Sequence, residues 1–132
     1  MRFLCLGYAD EKKFETMTEK QMNVFMDECF GYDDVLRRDG HFVGGEGLQN
    51  TRSAATLRYS NSRIVVTDGP FAETKEQIGG IMFLEAKDLR HAIELMSKHP
   101  SLRLGGGSWE IRPLADLSAA VKECESRRMK AK

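Results

Sequence analysis

The sequence has no excess charge of either sign, no long hydrophobic run and no internal repeat. Twenty Lys and Arg side chains balance twenty Asp and Glu side chains, so no net field draws the chain onto nucleic acid or an anionic membrane. No apolar run approaches the roughly 18 residues that span a bilayer. The short run FLCLGY near the N-terminus is followed by charges, unlike an export signal. We therefore expect a cytoplasmic protein whose partners are small molecules or proteins, with no nucleic acid and no membrane.

Cysteine and histidine are also scarce, which weighs against several kinds of metal and disulfide site. An odd number of cysteines without a CxxC pair argues against a disulfide framework or a thiolate zinc site. The three histidines form neither HxH nor HExxH. Asp68 with Glu73 or Glu76 offers oxygen ligands, but their spacing is not specific for a cation. The sequence therefore predicts no metal and no cofactor.

What is present is the pattern of one globular domain of 132 residues. The runs at 3–8 and 79–86 are apolar at successive positions, as in strands covered on both faces. Two overlapping capping boxes, at Thr16 and Thr18, predict that a long helix begins near residue 17. Asp88 can cap a second helix, which Pro100 would end.

The remaining segments predict more strands and a terminal helix. A short glycine-rich strand is expected over 41–48, and alternating residues on either side of Asn61 and Ser62 predict a β-hairpin that ends at residue 68. SWEIRPL predicts one last strand. Residues 1–114 then form the domain, and 115–132 add a terminal helix with a frayed basic tail.

The order of these elements predicts an α+β fold. Crossovers joining neighbouring parallel strands would give a ferredoxin-like split βαβ sheet with an extra β-hairpin and helices on one face. The two central strands are apolar on both faces, so the second face needs a cover. A second copy related by a two-fold axis is the simplest cover, which predicts a homodimer and a dimeric α+β barrel.

The stretch VTDGPFAETKEQIGG, together with the later SWEIRPL, resembles the DGPF-type branch of the YCII-related family. The resemblance runs from the first strand to Leu114. It implies a ferredoxin-like, dimeric α+β barrel with clefts between the sheets and the surrounding loops. It also implies an enzyme, because the better-known branch carries a histidine and an aspartate in that cleft. A regulatory role is implied as well, since other relatives occur beside, or fused to, alternative sigma factors.

The sequence departs from the better-known branch at the histidine and the aspartate. Its first long helix, predicted over 17–38, contains no histidine. Where that branch has aspartate-proline after the second helix, this chain has His99 before Pro100. The histidine-aspartate pair of that branch is therefore not expected here.

Asp68 is the first candidate for a functional residue, because it ends a strand just before the turn at Gly69 and Pro70. Its carboxylate could serve as an acid, a base or an orienting group in an inter-sheet cleft. It could equally accept hydrogen bonds from the amides that follow and so build the turn. Glu73 and Lys75 join it as candidate catalytic residues. Their side chains share a face only if the segment is extended, whereas Glu73 and Glu76 share one if it is helical.

Five further residues are candidates for binding a substrate. Arg58 and Arg112 lie on polar faces of predicted strands, where a guanidinium group can bind an anion or simply be exposed. Phe71 can contact a ligand, fill the core or contact a second copy. His99 lies at a helix end, where a cationic ring can interact with terminal carbonyls. The candidate substrate-binding residues are Arg58, Phe71, Glu76, His99 and Arg112.

Two functions remain open from the sequence. One is a cofactor-independent small-molecule enzyme with an acid-base site around Asp68. The other is a non-catalytic dimeric module that binds a ligand or a partner protein, such as one related to sigma factors.

Overall fold

The computed structural model describes residues 1–131, which form a mixed α+β fold. Its six strands are β1 (Arg2–Ala9), β2 (Phe42–Gly47), β3 (Ala55–Ser60), β4 (Arg63–Asp68), β5 (Gln77–Glu85) and β6 (Ser108–Pro113). Its five helices are α1 (Glu11–Glu15), α2 (Glu19–Arg38), α3 (Leu89–Met96), α4 (Ser101–Leu104) and α5 (Ser118–Lys130). A single 3-10 turn, Thr51–Ser53, precedes β3.

Four of the strands form one antiparallel sheet in the order β2-β5-β1-β6. This order confirms the ferredoxin-like prediction, with β1 and β5 at the centre. The expectation that the crossovers join neighbouring parallel strands is wrong, because β5 pairs with both β1 and β2 and separates them. Likewise β1 separates β5 from β6. Each crossover therefore joins two parallel strands that have an antiparallel strand between them.

The long helix α2 begins where its capping residues specify. The Thr18 hydroxyl accepts from the amide of Gln21 at 3.1 Å, and the Gln21 side chain accepts from the amide of Thr18 at 2.9 Å. The second of the two predicted capping boxes is thus the one that forms. The helix exits through Gly40, whose φ of 81° favours glycine. The sequence pattern does not predict the short helix α1, because a helix of little more than one turn is too short to show a hydrophobic periodicity. Asp10 caps this helix.

The second crossover contains two helices instead of one. Asp88 caps α3 by accepting from the amide of His91 at 2.8 Å, as predicted. Helix α3 ends at Met96, before Pro100, so the prediction that Pro100 ends it is wrong. Pro100 instead precedes the first residue of α4, where its missing amide hydrogen costs nothing.

The core lies between one face of the sheet and the helices α2 and α3. Alternate residues of β1 and β5 point into it, and its largest fully buried side chains are Phe3, Cys5, Leu36, Leu84 and Met96. The residues between them point to the opposite face, which we call the open face. Leu4, Leu6, Ile81 and Phe83 on the open face are only partly buried. The helices therefore cover one face of the sheet, as the sequence predicts.

Strands β3 and β4 form a separate two-stranded sheet. Asn61 and Ser62 make its turn with φ values of 51° and 66°, the left-handed pair that matches the twist of a tight hairpin. The predicted extra hairpin is thus present. Its apolar side chains remain outside the core, since Leu57 is 66% exposed and Tyr59 is 72% exposed. No helix within residues 1–131 is long and apolar enough to cross a membrane.

Leu84 provides a test of where the core lies. We expect Leu84→Ala to lower the free energy of unfolding by about 2–5 kcal/mol, because the truncation leaves a cavity in the central strand. Urea denaturation followed by circular dichroism measures the loss. The matched control is Leu117→Ala, since Leu117 is 64% exposed, and it should change stability by less than about 0.5 kcal/mol. Equal effects of the two substitutions would contradict the packing described here.

Candidate functional site

A large cavity lies between α2 and the helix-covered face of the sheet. Its volume is about 870 Å³, within the range of small-molecule pockets. The helix α2 gives it an apolar wall, because Met22, Phe25, Met26 and Phe30 recur at helical spacing along one side. Its polar lining includes Asp33, Arg37, Glu46, His99, Ser101 and Ser108. A largely apolar cavity with a few polar groups is the usual form of a ligand site.

A histidine and an aspartate from different elements meet in this cavity. His99, in the connection between α3 and α4, places its Nε2 3.2 Å from Oδ1 of Asp33 on α2. The side chain of His99 is 5% exposed and that of Asp33 is 18% exposed. Of the two, Asp33 has more contact with solvent. The structure thus places the His99 ring against Asp33 and Ser101 and not against the carbonyl groups of a helix end.

The other ring nitrogen of His99 fixes the tautomer. Nδ1 lies 2.8 Å from the Ser101 hydroxyl oxygen and 3.3 Å from the Ser101 amide nitrogen. A backbone amide can only donate, so Nδ1 is the acceptor and the ring proton of neutral His99 is on Nε2. That proton points to Asp33 Oδ1, which accepts the hydrogen bond. The same hydrogen bond holds the carboxylate in place.

Trp109 completes a directed chain of hydrogen bonds. Its indole Nε1 donates to the Ser101 hydroxyl oxygen at 2.8 Å, which leaves the Ser101 hydroxyl hydrogen free to donate to His99. The chain runs from Trp109 through Ser101 and His99 to Asp33. Trp109 also packs against His99 with ring centroids 5.0 Å apart, and Tyr32 lies edge-on at 5.7 Å. Because aromatic rings exclude water, each polar contact here is stronger than it would be at the surface.

This arrangement gives Asp33 the properties of a proton acceptor. An ionised carboxylate offers several lone pairs, and His99 occupies one of them on Oδ1. The second oxygen, Oδ2, has no hydrogen bond to any of residues 1–131. A substrate in the cavity can therefore donate to Asp33, while His99 stabilises and orients the carboxylate.

Cys29 lines the same cavity one helical turn before Asp33, but it is not an activated nucleophile. Burial raises the pKa of its thiol to about 11, and the nearby carboxylates of Asp33 and Glu28 act in the same direction. The thiol therefore remains protonated at neutral pH. Reactive cysteines need the opposite environment, one that lowers the thiol pKa.

The residues predicted as catalytic lie elsewhere. Asp68 ends β4, and Glu73 and Lys75 follow in the irregular connection to β5; all three are exposed. None of them lines the cavity described above. The turn after Asp68 is held by the amide of Gly69, which donates to the carbonyl oxygen of Ala54 at 2.8 Å. Gly69 has a φ of 114°, so its glycine is required by the backbone.

The predicted binding residues are divided between the surface and the cavity. Phe71 is 79% exposed, so within one chain it does not fill the core. Arg58 lies over its ring at 5.2 Å and donates to its carbonyl oxygen at 3.1 Å. The exposed Arg112 lies 3.8 Å from Glu110, and Glu76 accepts from Ser108 at 3.4 Å. His99 is the one predicted site residue that lines the cavity.

Sequence reasoning missed Asp33, although a signal for it was present. The resemblance implies a histidine on the first long helix and an aspartate before the proline that follows the second. This chain has the two residue types exchanged, with Asp33 on α2 and His99 before Pro100. An exchanged pair would have pointed to the three aspartates of α2, Asp27, Asp33 and Asp34. Among residues 1–131, no cluster of three or more acidic, cysteine or histidine side chains suits a metal ion.

The fold and the site define a class of protein, an α+β domain of ferredoxin-like topology with a histidine-aspartate pair in a cavity beneath its first long helix. The model of the YCII-related domain matches residues 1–118. The chain is also 43% identical to an uncharacterized protein of Rhizobium meliloti (strain 1021) over 115 residues, which cover 87% of this chain and 93% of that protein. The chain therefore belongs to the YCII-related family.

The hydrogen-bond chain behind Asp33 can be tested at Ser101. We expect Ser101→Ala to lower the free energy of unfolding by about 1–3 kcal/mol, because it removes the only partner of the Trp109 indole within the described chain. Since Trp109 is the single tryptophan, its emission should report the change directly. Ser97→Ala, on the exposed side of the preceding helix end, is the control. Unchanged stability and emission in Ser101→Ala would contradict the hydrogen-bond chain.

Proposed function

We propose that this YCII-related protein is a small-molecule enzyme in which Asp33 is the proton-transfer residue and His99 is its positioning residue. The observation that carries the proposal is the contact between His99 Nε2 and Asp33 Oδ1 at the wall of a cavity of about 870 Å³. A carboxylate oriented by a histidine in a water-poor site has the geometry of a general base.

The proposed step is transfer of a proton from the bound substrate to Asp33. The pair of electrons on Oδ2 forms the new O–H bond, and the electrons of the broken bond remain on the substrate. His99 keeps its proton on Nε2 and donates a hydrogen bond to Oδ1, so the charge on Asp33 is dispersed before the transfer. Return of the proton to another atom of the substrate, or to a product, restores the carboxylate. The residues named are sufficient for this step without a cofactor.

A substitution that removes the charge of Asp33 while preserving its shape tests the proposal. We expect Asp33→Asn to lower the turnover of any substrate found by screening small molecules by about 10²–10⁴-fold, because an amide cannot accept the proton. Asp34→Asn is the matched control. Asp34 is the next residue on α2, its side chain is 75% exposed and it pairs with Arg37 at 2.6 Å, so its substitution should leave turnover unchanged.

The same screen separates the cavity from the segment predicted by the sequence. The assignment of Asp68, Glu73 and Lys75 as catalytic remains a prediction. If Asp68→Asn abolishes turnover and Asp33→Asn does not, the acid-base site is around Asp68 and the proposal made here is wrong. If ligands bind but none is converted, the chain is a binding module, the function that an accessory role beside a sigma factor would require.

We also propose that the working form is a homodimer through the open face. Leu4, Leu6, Ile81 and Phe83 form a continuous apolar patch at the centre of the sheet. Patches of this kind mark interaction surfaces, because apolar area left in water costs free energy. A second copy of the same face offers a matching surface for it.

Light scattering tests the dimer. We expect twice the mass of one chain in solution, and we expect Leu6→Glu to halve it because the charge would be buried at the centre of the interface. Leu104→Glu, a substitution at a 48% exposed leucine on the helix side, should leave the mass unchanged. A wild-type protein with the mass of one chain would contradict the proposed dimer.

A further inference from the structure

A row of glycines crosses the floor of the cavity. Gly47 of β2 is opposite Gly80 of β5, Gly80 is opposite Gly7 of β1, and Gly7 is opposite Trp109 of β6. Residues directly opposite in antiparallel strands point to the same face. The row therefore runs across all four strands on the face that α2 covers, and three of its four positions carry no side chain.

The row of glycines has free space above it at Gly47 and Gly80, but not at Gly7. A Cβ atom on Gly7 would lie 3.0 Å from two carbons of the Trp109 ring, so the indole fills that position. A Cβ atom on Gly80 would have the carbonyl oxygen of Glu46 at 3.4 Å as its nearest neighbour, and one on Gly47 would meet nothing within 4 Å. The floor is thus bare peptide backbone across β5 and β2, and the edge of Trp109 bounds it.

The shape of this space follows from strand geometry. Two neighbouring strands give a floor about 10 Å wide, since strands are spaced about 4.8 Å apart. What is missing above them is one layer of side chains, because Met82 keeps its side chain beside the row on β5 and the ring of Phe42 fills the space above Gly45 on β2. The opposite wall is formed by Met22, Phe25, Met26 and Phe30 of α2. The result is a slot that is broad in the plane of the sheet and thin perpendicular to it.

The charges around the slot restrict the ligand further. One guanidinium group, that of Arg37, faces three carboxylates in the lining, those of Glu11, Glu15 and Asp33. Even with Glu15 paired to Arg52 at 3.0 Å, this balance disfavours an anion. The Asp33 carboxylate, which only accepts hydrogen bonds, requires a donor on the ligand.

We infer that the ligand of this cavity is a flat ring system that carries no negative charge and has a hydroxyl or amine donor. The ring lies on the backbone of Gly47 and Gly80, its edge meets Trp109, and its donor reaches Asp33. This inference rests on the proposed function for the location of the site, and it adds the chemical class of the substrate. A flat ring gains close contact on both faces, whereas a thick aliphatic cage of the same size does not enter.

Two probes of equal heavy-atom count separate flat from globular ligands. 2-Naphthol is planar, 1-adamantanol is a cage, and each carries one hydroxyl donor. Calorimetric titration of the wild-type protein should give at least about tenfold tighter binding of 2-naphthol. Equal affinities, tighter binding of the cage or no binding of 2-naphthol would overturn the inference.

A pair of glycine substitutions on one strand locates the binding. Gly47→Val places a side chain in the slot, in space where a Cβ meets no atom within 4 Å, and should weaken 2-naphthol binding by about tenfold or more. Gly44→Val adds the same side chain to the same strand. Gly44 also has free space, but it is opposite Phe83 on the open face, so the affinity should stay within about twofold. Unchanged binding in Gly47→Val would place the ligand elsewhere.

Failure of this inference is distinguishable from failure of the proposed function. If 2-naphthol binds as expected but Asp33→Asn turns over every substrate normally, the slot stands and the acid-base assignment fails. If Asp33→Asn loses turnover while Gly47→Val leaves 2-naphthol binding unchanged, the acid-base assignment stands and the ligand class is wrong.

Discussion

The structure depends most on the burial of the His99 ring, because a buried imidazole needs a partner for each of its nitrogens. Ser101 satisfies Nδ1 from the start of α4, and Asp33 satisfies Nε2 from α2. The indole N–H of Trp109, on β6, donates its hydrogen bond to the same Ser101. One polar cluster thereby joins the long helix, the second crossover and the last strand. Within residues 1–131 no buried side-chain nitrogen or oxygen lacks a hydrogen bond.

The way in which α2 packs on the sheet leaves room for a ligand. The C-terminal end of α2 packs closely on the sheet, with Leu36 in the core, while its residues from Met22 to Phe30 face a floor of glycines. Asp33 lies between these two parts of the helix. The fold therefore places a carboxylate with a fixed orientation at the boundary between packed core and open cavity. That position is favourable for chemistry, because the core holds the group and the cavity admits the substrate.

Much of the fold was predictable from the sequence because its signals are local. The capping box at Thr18, the cap at Asp88 and the left-handed pair at Asn61 and Ser62 act over four residues or fewer. The alternation of apolar residues in the strands is equally local. The short helix α4 and the end of α3 at Met96 were missed, since single turns and helix ends carry weak periodic signals.

The sequence by itself determined the types of the longer elements, the α+β class, and the glycine-proline turn after Asp68. Only the tertiary structure decided which polar residues meet, because Asp33 and His99 are 66 positions apart and no local pattern connects them. It also decided that Gly7, Gly47 and Gly80 form one row, since that requires the pairing of three strands in register. Local patterns fix the conformation of a segment, whereas contacts between distant segments depend on how the whole chain packs.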